Sequence, residues 1–168
     1  MSDPSFENLY DKTLRFLSFR PRSEKEILDY LKNKTSFAKA ADDQKEELSQ
    51  TFDKILKKLK EYKFIDDLAF AKWFIENRKK GKRLILLELS HKGISKEIIE
   101  EAQSLFDLAK KDSDLLEKLI DKKWKIYQRN PEKAYEKMMG FLMRRGFDYD
   151  TVKKAIKKRL RVDEKLEE

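Results

Sequence analysis

Two kinds of residue in this chain could do chemistry: clustered cations and paired carboxylates. Arg20 and Arg22 flank Pro21. Arg78, Lys79, Lys80, Lys82 and Arg83 surround Gly81, with His91 and Lys92 further on, and Arg144 and Arg145 precede Gly146. Cations grouped in this way suit phosphates or a carboxylate-rich surface, and a partner held so is released by salt. For any single lysine the plainer account is a solvated charged face. The carboxylate pairs are Asp42-Asp43 and Asp66-Asp67. Adjacent aspartates could ligate magnesium, but each pair stands where a helix is expected to begin, and capping accounts for both. His91 is the only histidine and cysteine is absent. A multi-histidine metal site, a thiolate zinc site, a cysteine nucleophile and a disulfide scaffold are therefore excluded. The glycines are isolated, without the spacing of a Walker phosphate loop. Neither an enzyme nor a cofactor is expected.

The formal net charge of +8 favours a polyanionic partner, nucleic acid or an acidic protein surface. Charged residues (43%) outnumber hydrophobic ones (39%), an apolar supply best spent on amphipathic helices with one stripe each. No stretch approaches the roughly 20 apolar residues that span a bilayer. Met1-Ser2-Asp3-Pro4 has neither the basic region nor the apolar run of a secretory signal. A cytoplasmic protein without membrane contact is expected.

The elements that must carry the clusters are helices, since no run alternates with period two for long. The first is predicted over Glu7–Phe19, stopped by Arg20-Pro21-Arg22. Ser23 with Glu26 reads as a capping box for a second helix lined by Ile27, Leu28 and Leu31. Asn33–Glu47 is polar and reads as a long loop with a helix start inside it. A third helix follows with Phe52, Ile55, Leu56 and Leu59. Asp66 and Asp67 cap the next, with Leu68, Ala71, Phe74 and Ile75 as its stripe, and Gly81 breaks it. Leu84, Ile85 and Leu89 mark another. Gly93 ends that one and Ser95 caps the next, striped by Ile98, Ile99, Ala102, Leu105 and Phe106. Asp112–Tyr127 is a further helix carrying Leu116, Leu119, Ile120 and Trp124. Trp124 and Trp73 sit at packing positions, although exposed aromatics can also stack on bases. Asn130-Pro131 starts a helix with Met138, Phe141 and Leu142. Gly146 ends it and Asp148 caps the last, which holds Val152, Ala155, Ile156 and Leu160. A frayed charged tail is expected over Asp163–Glu168.

"LSHKGISKEIIEEA" (Leu89–Ala102) and "LMRRGFDYDTVKKAI" (Leu142–Ile156) share one pattern. Leu31, Leu89 and Leu142 fall at one position, with Ile27, Ile85 and Met138 four residues before and Lys34, Lys92 and Arg145 three after. The chain therefore reads as three tandem three-helix repeats of roughly 50 residues. Their spans are 1–64 with the long loop at 33–47, 65–110, and 111–168 with the tail. Stacked neighbours would bury a continuous seam, which predicts an all-α, elongated and curved solenoid. Glycine after the basic residue suits a left-handed helix stop, and Ser95 or Asp148 then begins the next helix.

Four segments resemble, in order, the signatures of the RecX family: "TLRFLSFRPRSEKEILDYL" (13–31), "FIDDLAFAKWFIENR" (64–78), "ELSHKGISKEII" (88–99) and "FLMRRGFDYDTVKKAI" (141–156). The resemblance covers nearly the whole chain. It implies three tandem three-helix repeats and a non-enzymatic regulator of the bacterial recombinase RecA, acting in DNA repair, recombination and the SOS response. Such a protein binds RecA, sits in the groove of the RecA filament on single-stranded DNA, and blocks extension or promotes disassembly. RecA's ATPase, strand-exchange and co-protease activities fall in consequence. The basic clusters would face filament DNA, acidic RecA surface, or both, with DNA bound weakly by a monomeric protein alone. Thr35 departs from the pattern, standing where the other repeats have glycine. A free-standing basic DNA-binding protein and a scaffold whose charge only solubilises remain the alternatives.

Overall fold

The structure is a computed structural model and describes residues 6–164. Among them the chain is all-helical: α1 (Phe6–Ser18), α2 (Glu24–Lys34), a 3-10 turn (Phe37–Lys39), α3 (Asp42–Glu61), α4 (Asp67–Asn77), α5 (Lys82–His91), α6 (Lys96–Ser104), α7 (Leu108–Tyr127), α8 (Pro131–Arg144) and α9 (Tyr149–Glu164). The Met1–Pro4 stretch and the end of the charged tail lie outside the described residues. No helix among those described is long and apolar enough to cross a membrane.

The chain folds as two compact units. The first takes the residues up to Phe74 together with Leu89–Ala102; the second takes Ile75–Glu88 and the chain from Gln103 onward. In the first, Leu9 of α1, Ile27 and Leu31 of α2, and Phe52, Ile55 and Leu59 of α3 are almost wholly buried together. In the second, Leu116, Ile120 and Trp124 of α7 pack with Met138 and Leu142 of α8 and with Phe147, Val152 and Ile156. Ile27, Leu31, Ile85, Leu89, Met138 and Leu142, the periodic pairs of the repeat, are each 0% exposed. These three helices thus bury the apolar pair that recurs four residues apart on one face.

Several elements differ from expectation. The polar stretch Asn33–Glu47 is mostly helical. Thr35 Oγ1 donates to the Leu31 carbonyl at 3.0 Å and closes α2. α3 then starts at Asp42, with Asp42 and Asp43 facing the positive end of the helix dipole. Its early polar residues belong to the solvent face of a long helix rather than to a loop. α7 begins four residues before Asp112, because the Asp107 carboxylate accepts from the Lys110 N–H and caps it there. α6 ends at Ser104, which leaves Leu105 57% exposed and outside the core. Gly81 does not end α4, which stops at Asn77; it stands immediately before α5.

Candidate binding site at two helix junctions

The helix stops after α3, α5 and α8 are built alike. Lys63, Gly93 and Gly146 are left-handed, with φ of 56°, 81° and 88°. Each donates its N–H to a carbonyl of the last turn (Lys60, Ser90, Met143), and the next residue reaches one further back (Leu59, Leu89, Leu142). This paired closure satisfies carbonyls the helix would otherwise leave open. Thr35, at the equivalent end of α2, keeps φ at −97° and needs no glycine.

On two of these turns the start of another helix is seated. In the first unit Ser23 Oγ accepts from the Glu26 N–H at 3.2 Å, capping α2, and donates to the Lys92 carbonyl at 2.8 Å. Lys25 Nζ donates to the His91 carbonyl at 2.9 Å, and the Glu24 N–H donates to Asp67 Oδ1 at 3.0 Å. The second unit repeats the arrangement. The Gly81 N–H donates to the Arg145 carbonyl at 2.8 Å, and the Lys82 N–H reaches both carboxylate oxygens of Asp112, at 3.0 and 2.9 Å. Ser23 and Gly81 occupy the same place before Leu31 and Leu89. An aspartate from a separate helix therefore caps α2 and α5 in turn, satisfying amides each helix leaves free. Burial raises both carboxyls, Asp67 and Asp112, above the usual aspartate range despite the amides they accept.

The expected capping residues act as follows. The Asp66 carboxylate accepts from the Ala69 N–H at 2.9 Å and the Asp148 carboxylate from the Thr151 N–H at 2.9 Å. Ser95 Oγ accepts from the Ile98 N–H at a longer 3.4 Å. Asp67 stands in the first turn of α4, favourably in its dipole, while its carboxylate accepts from α2. Glu26 is drawn away from a capping box: its carboxylate takes Arg20 in a bidentate pair (2.8 and 3.1 Å) and also Lys92. Burial opposes ionisation of Glu26, but the hydrogen bonds from Arg20 and Lys92 outweigh it and hold the carboxyl down to about 2.

The basic clusters are thereby sorted. Arg20 and Lys92 are tied to Glu26 and rest against Trp73 and Phe74 respectively. Lys80 pairs with Glu88. Arg145 Nη1 donates to the Lys79 carbonyl at 3.4 Å, with its guanidinium 5.1 Å from the Phe141 ring centre. Arg22 lies 3.8 Å over the Phe16 ring. Lys79, Lys82, Arg83, His91 and Arg144 are exposed, and Arg78 is half-buried. The structure thus brings the Arg78–Arg83 turn to Arg144-Arg145 in one unit, and the Arg20–Arg22 turn to His91-Lys92 in the other.

The second unit also has a groove of about 760 Å³ along α7, edged by Arg78 and Lys79 and by Lys110, Lys118 and Lys122, over Leu115 and Leu119. Glu76, Asp107 and Asp114 line it too. Lys111 donates from this side to the Ile75 and Glu76 carbonyls at the end of α4, where a cation meets the negative pole of the helix. These α7 lysines are not among the clusters expected from the sequence. Lys111, Lys118 and Lys122 recur at helical spacing (seven and then four residues apart), a periodicity of charge that is legible without coordinates.

Models of the RecX first, second and third three-helix domains match residues 10–35, 66–102 and 110–156. Regulatory protein RecX of Finegoldia magna is 32% identical over 155 residues, covering 88% of this chain and 70% of that protein. The corresponding protein of Clostridium tetani is 35% identical over 155 residues, covering 89% and 66%. That of Oceanobacillus iheyensis is 33% identical over 153 residues, covering 88% and 52%. The chain therefore spans between half and two thirds of the length of the latter two relatives. A crystal structure of regulatory protein RecX superposes with a TM-score of 0.70 at 25% identity, over 90% of this chain and 73% of that one. RecX from Lactobacillus salivarius gives 0.65 at 25% identity, over 91% and 95%. With all three of its helical domains matched in order, the chain belongs to the RecX family.

Proposed function

We propose that the protein is a cytoplasmic, monomeric regulator that binds RecA and the RecA–DNA filament. It restrains the recombinase by blocking filament extension or promoting disassembly, and RecA's ATPase and co-protease activities fall as a result. The family supports the partner. The observation that carries the mode of binding is the second junction: Lys79, Lys82, Arg83 and Arg144 are exposed beside a backbone held by the Gly81–Arg145 and Lys82–Asp112 hydrogen bonds. Cations presented from a fixed backbone give up less freedom on meeting a polyanion than cations on a loose loop. The three helix triplets, 1–64, 65–110 and 111–168, would be the repeats that these junctions couple. Catalysis is no part of this role, since occupying a filament groove requires shape and charge only.

The test is a filament-extension assay with RecA on single-stranded DNA, run beside its DNA-dependent ATPase. Both should fall as this protein is added. An ATPase unchanged at stoichiometric excess overturns the proposal. Tight, salt-steep DNA binding with no effect on RecA would instead select a free-standing DNA-binding protein.

A further inference from the structure

The first unit holds aromatic surface that its core does not use. Phe19 is 82% exposed and Phe64 51%. Phe19 stands in the turn between α1 and α2, Phe64 in the turn between α3 and α4. Both line one open pocket of about 500 Å³ with Arg20, Arg22 and Lys63. Asp66 is the carboxylate in that lining, and it is committed to capping α4 through the Ala69 N–H. The lining thus combines two exposed rings with cations, each ring beside a cation in sequence (Phe19-Arg20, Lys63-Phe64).

Lys63 adds an independent observation. It holds the left-handed position of a helix stop that uses glycine at both other occurrences, with φ of 56°. A side chain there strains the backbone where glycine would not. The turn accepts that strain and gains an ammonium beside Phe64. Arg20 stands close enough to disfavour charge on Arg22. Burial together with Arg20 lowers the proton affinity of the Arg22 guanidinium, only partly restored by Glu26. An anion at the pocket mouth would relieve that repulsion.

We propose that this pocket is a base-stacking site for single-stranded nucleic acid. Phe19 and Phe64 take base faces, and Arg22 and Lys63 take the flanking phosphates. One strand carries flat apolar rings and negative charges together, as the pocket lining holds both rings and cations. A duplex keeps its bases stacked within itself and offers only phosphates. An apolar protein segment would cover the rings and leave the cations unmatched. The site deepens the DNA contact of the proposed function and rests on that reading for its biological role.

The experiment measures anisotropy of a labelled short oligothymidylate, its abasic analogue of equal length, and a duplex, with the full chain at fixed salt. The oligothymidylate should bind about tenfold or more tighter than the abasic strand. The variant combining Phe19→Ala and Phe64→Ala should lose that preference and keep the weaker, salt-sensitive binding common to both strands. Both side chains are exposed, and an unchanged melting curve verifies that the variant folds. Lys63→Gly should weaken binding of both strands a few-fold while the fold persists. Equal affinity of the unaltered protein for the two strands, or a preference that survives loss of both rings, overturns the site. RecA inhibition that persists while the base preference is absent would sink this site and leave the regulatory reading standing. A base preference without RecA inhibition would do the reverse.

Discussion

The Gly81 amide donates to the Arg145 carbonyl at 2.8 Å, and no side chain separates Gly81 from Gly146. A Cβ on Gly81 would lie 2.5 Å from the carbonyl carbon of Gly146 and 2.6 Å from the nitrogen of Phe147. Backbone cannot retreat as a side chain can. Gly81→Ala should therefore cost about 2 kcal/mol or more, as overpacking against fixed atoms does. Urea unfolding of the variant would check this, and an unchanged midpoint would mean that the two turns are not in contact.

Gly146 and Gly93 share a left-handed φ but not a neighbourhood. A Cβ on Gly146 would meet the Leu84 backbone nitrogen at 2.8 Å, whereas one on Gly93 would meet the Lys25 side chain at 2.9 and 3.0 Å. Valine at either position should destabilise by roughly 1 kcal/mol or more from backbone strain alone. Gly146→Val should be the worse, and melting temperatures of the two variants rank them.

Lys63 sits where glycine is at ease. Lys63→Gly should stabilise the protein by about 1 kcal/mol, because the left-handed conformation costs an ordinary residue roughly that much and glycine little. Chemical denaturation at neutral pH measures it, and a loss of stability would show that the lysine side chain contributes more to the fold than its backbone strain removes.

Glu26 links junction stability to pH. Its carboxyl is held down to about 2, below the ordinary glutamate value. The stabilisation is therefore complete above the unfolded value near 4.3 and lost as pH falls toward about 2. The loss should amount to about 2–3 kcal/mol. Asp67 and Asp112, raised by burial, push the other way, since the fold takes up protons there more readily than the unfolded chain. Unfolding free energy followed from pH 7 downward should show the Glu26 loss, and Glu26→Gln should remove it while lowering stability at neutral pH.

The exposed and engaged cations should separate by effect. Neutralising Lys79, Lys82, Arg83 and Arg144 together should weaken the proposed inhibition of RecA about tenfold or more and flatten its salt dependence. Helicity should be unchanged, because no described ion pair uses these side chains. Loss of helix on circular dichroism would mark them as structural instead. Arg20→Gln should act mainly on stability, by leaving the part-buried Glu26 with Lys92 alone.

The helices were legible because amphipathic spacing is local: Ile27 and Leu31, Ile85 and Leu89, Met138 and Leu142 announce a buried face by their separation alone. Gly93 and Gly146 were legible as helix stops for the same reason, and Asp66 and Asp148 as caps. Boundaries were less so. Asp42-Asp43 shows that a helix starts, but polar residues after it look alike on a helix face and in a loop. Asp112 reads as the start of its helix, and nothing in the chain nearby shows that its carboxylate takes the Lys82 amide. The α7 lysines form a periodic row in the sequence, but spacing alone does not show the groove they edge.

The sequence by itself determined the all-helical class, the three-fold recurrence of the helix triplet and the positions of its stops, because each depends on residues within a turn or two of one another. Only the tertiary structure decided what those positions do. It seated Ser23 on the Lys92 carbonyl and Gly81 on that of Arg145, lent Asp67 and Asp112 to helices other than their own, and divided the cations into engaged and exposed. Each of these contacts joins groups far apart in the chain, and hydrogen bonding and burial act on distance in space, which spacing along the sequence does not encode.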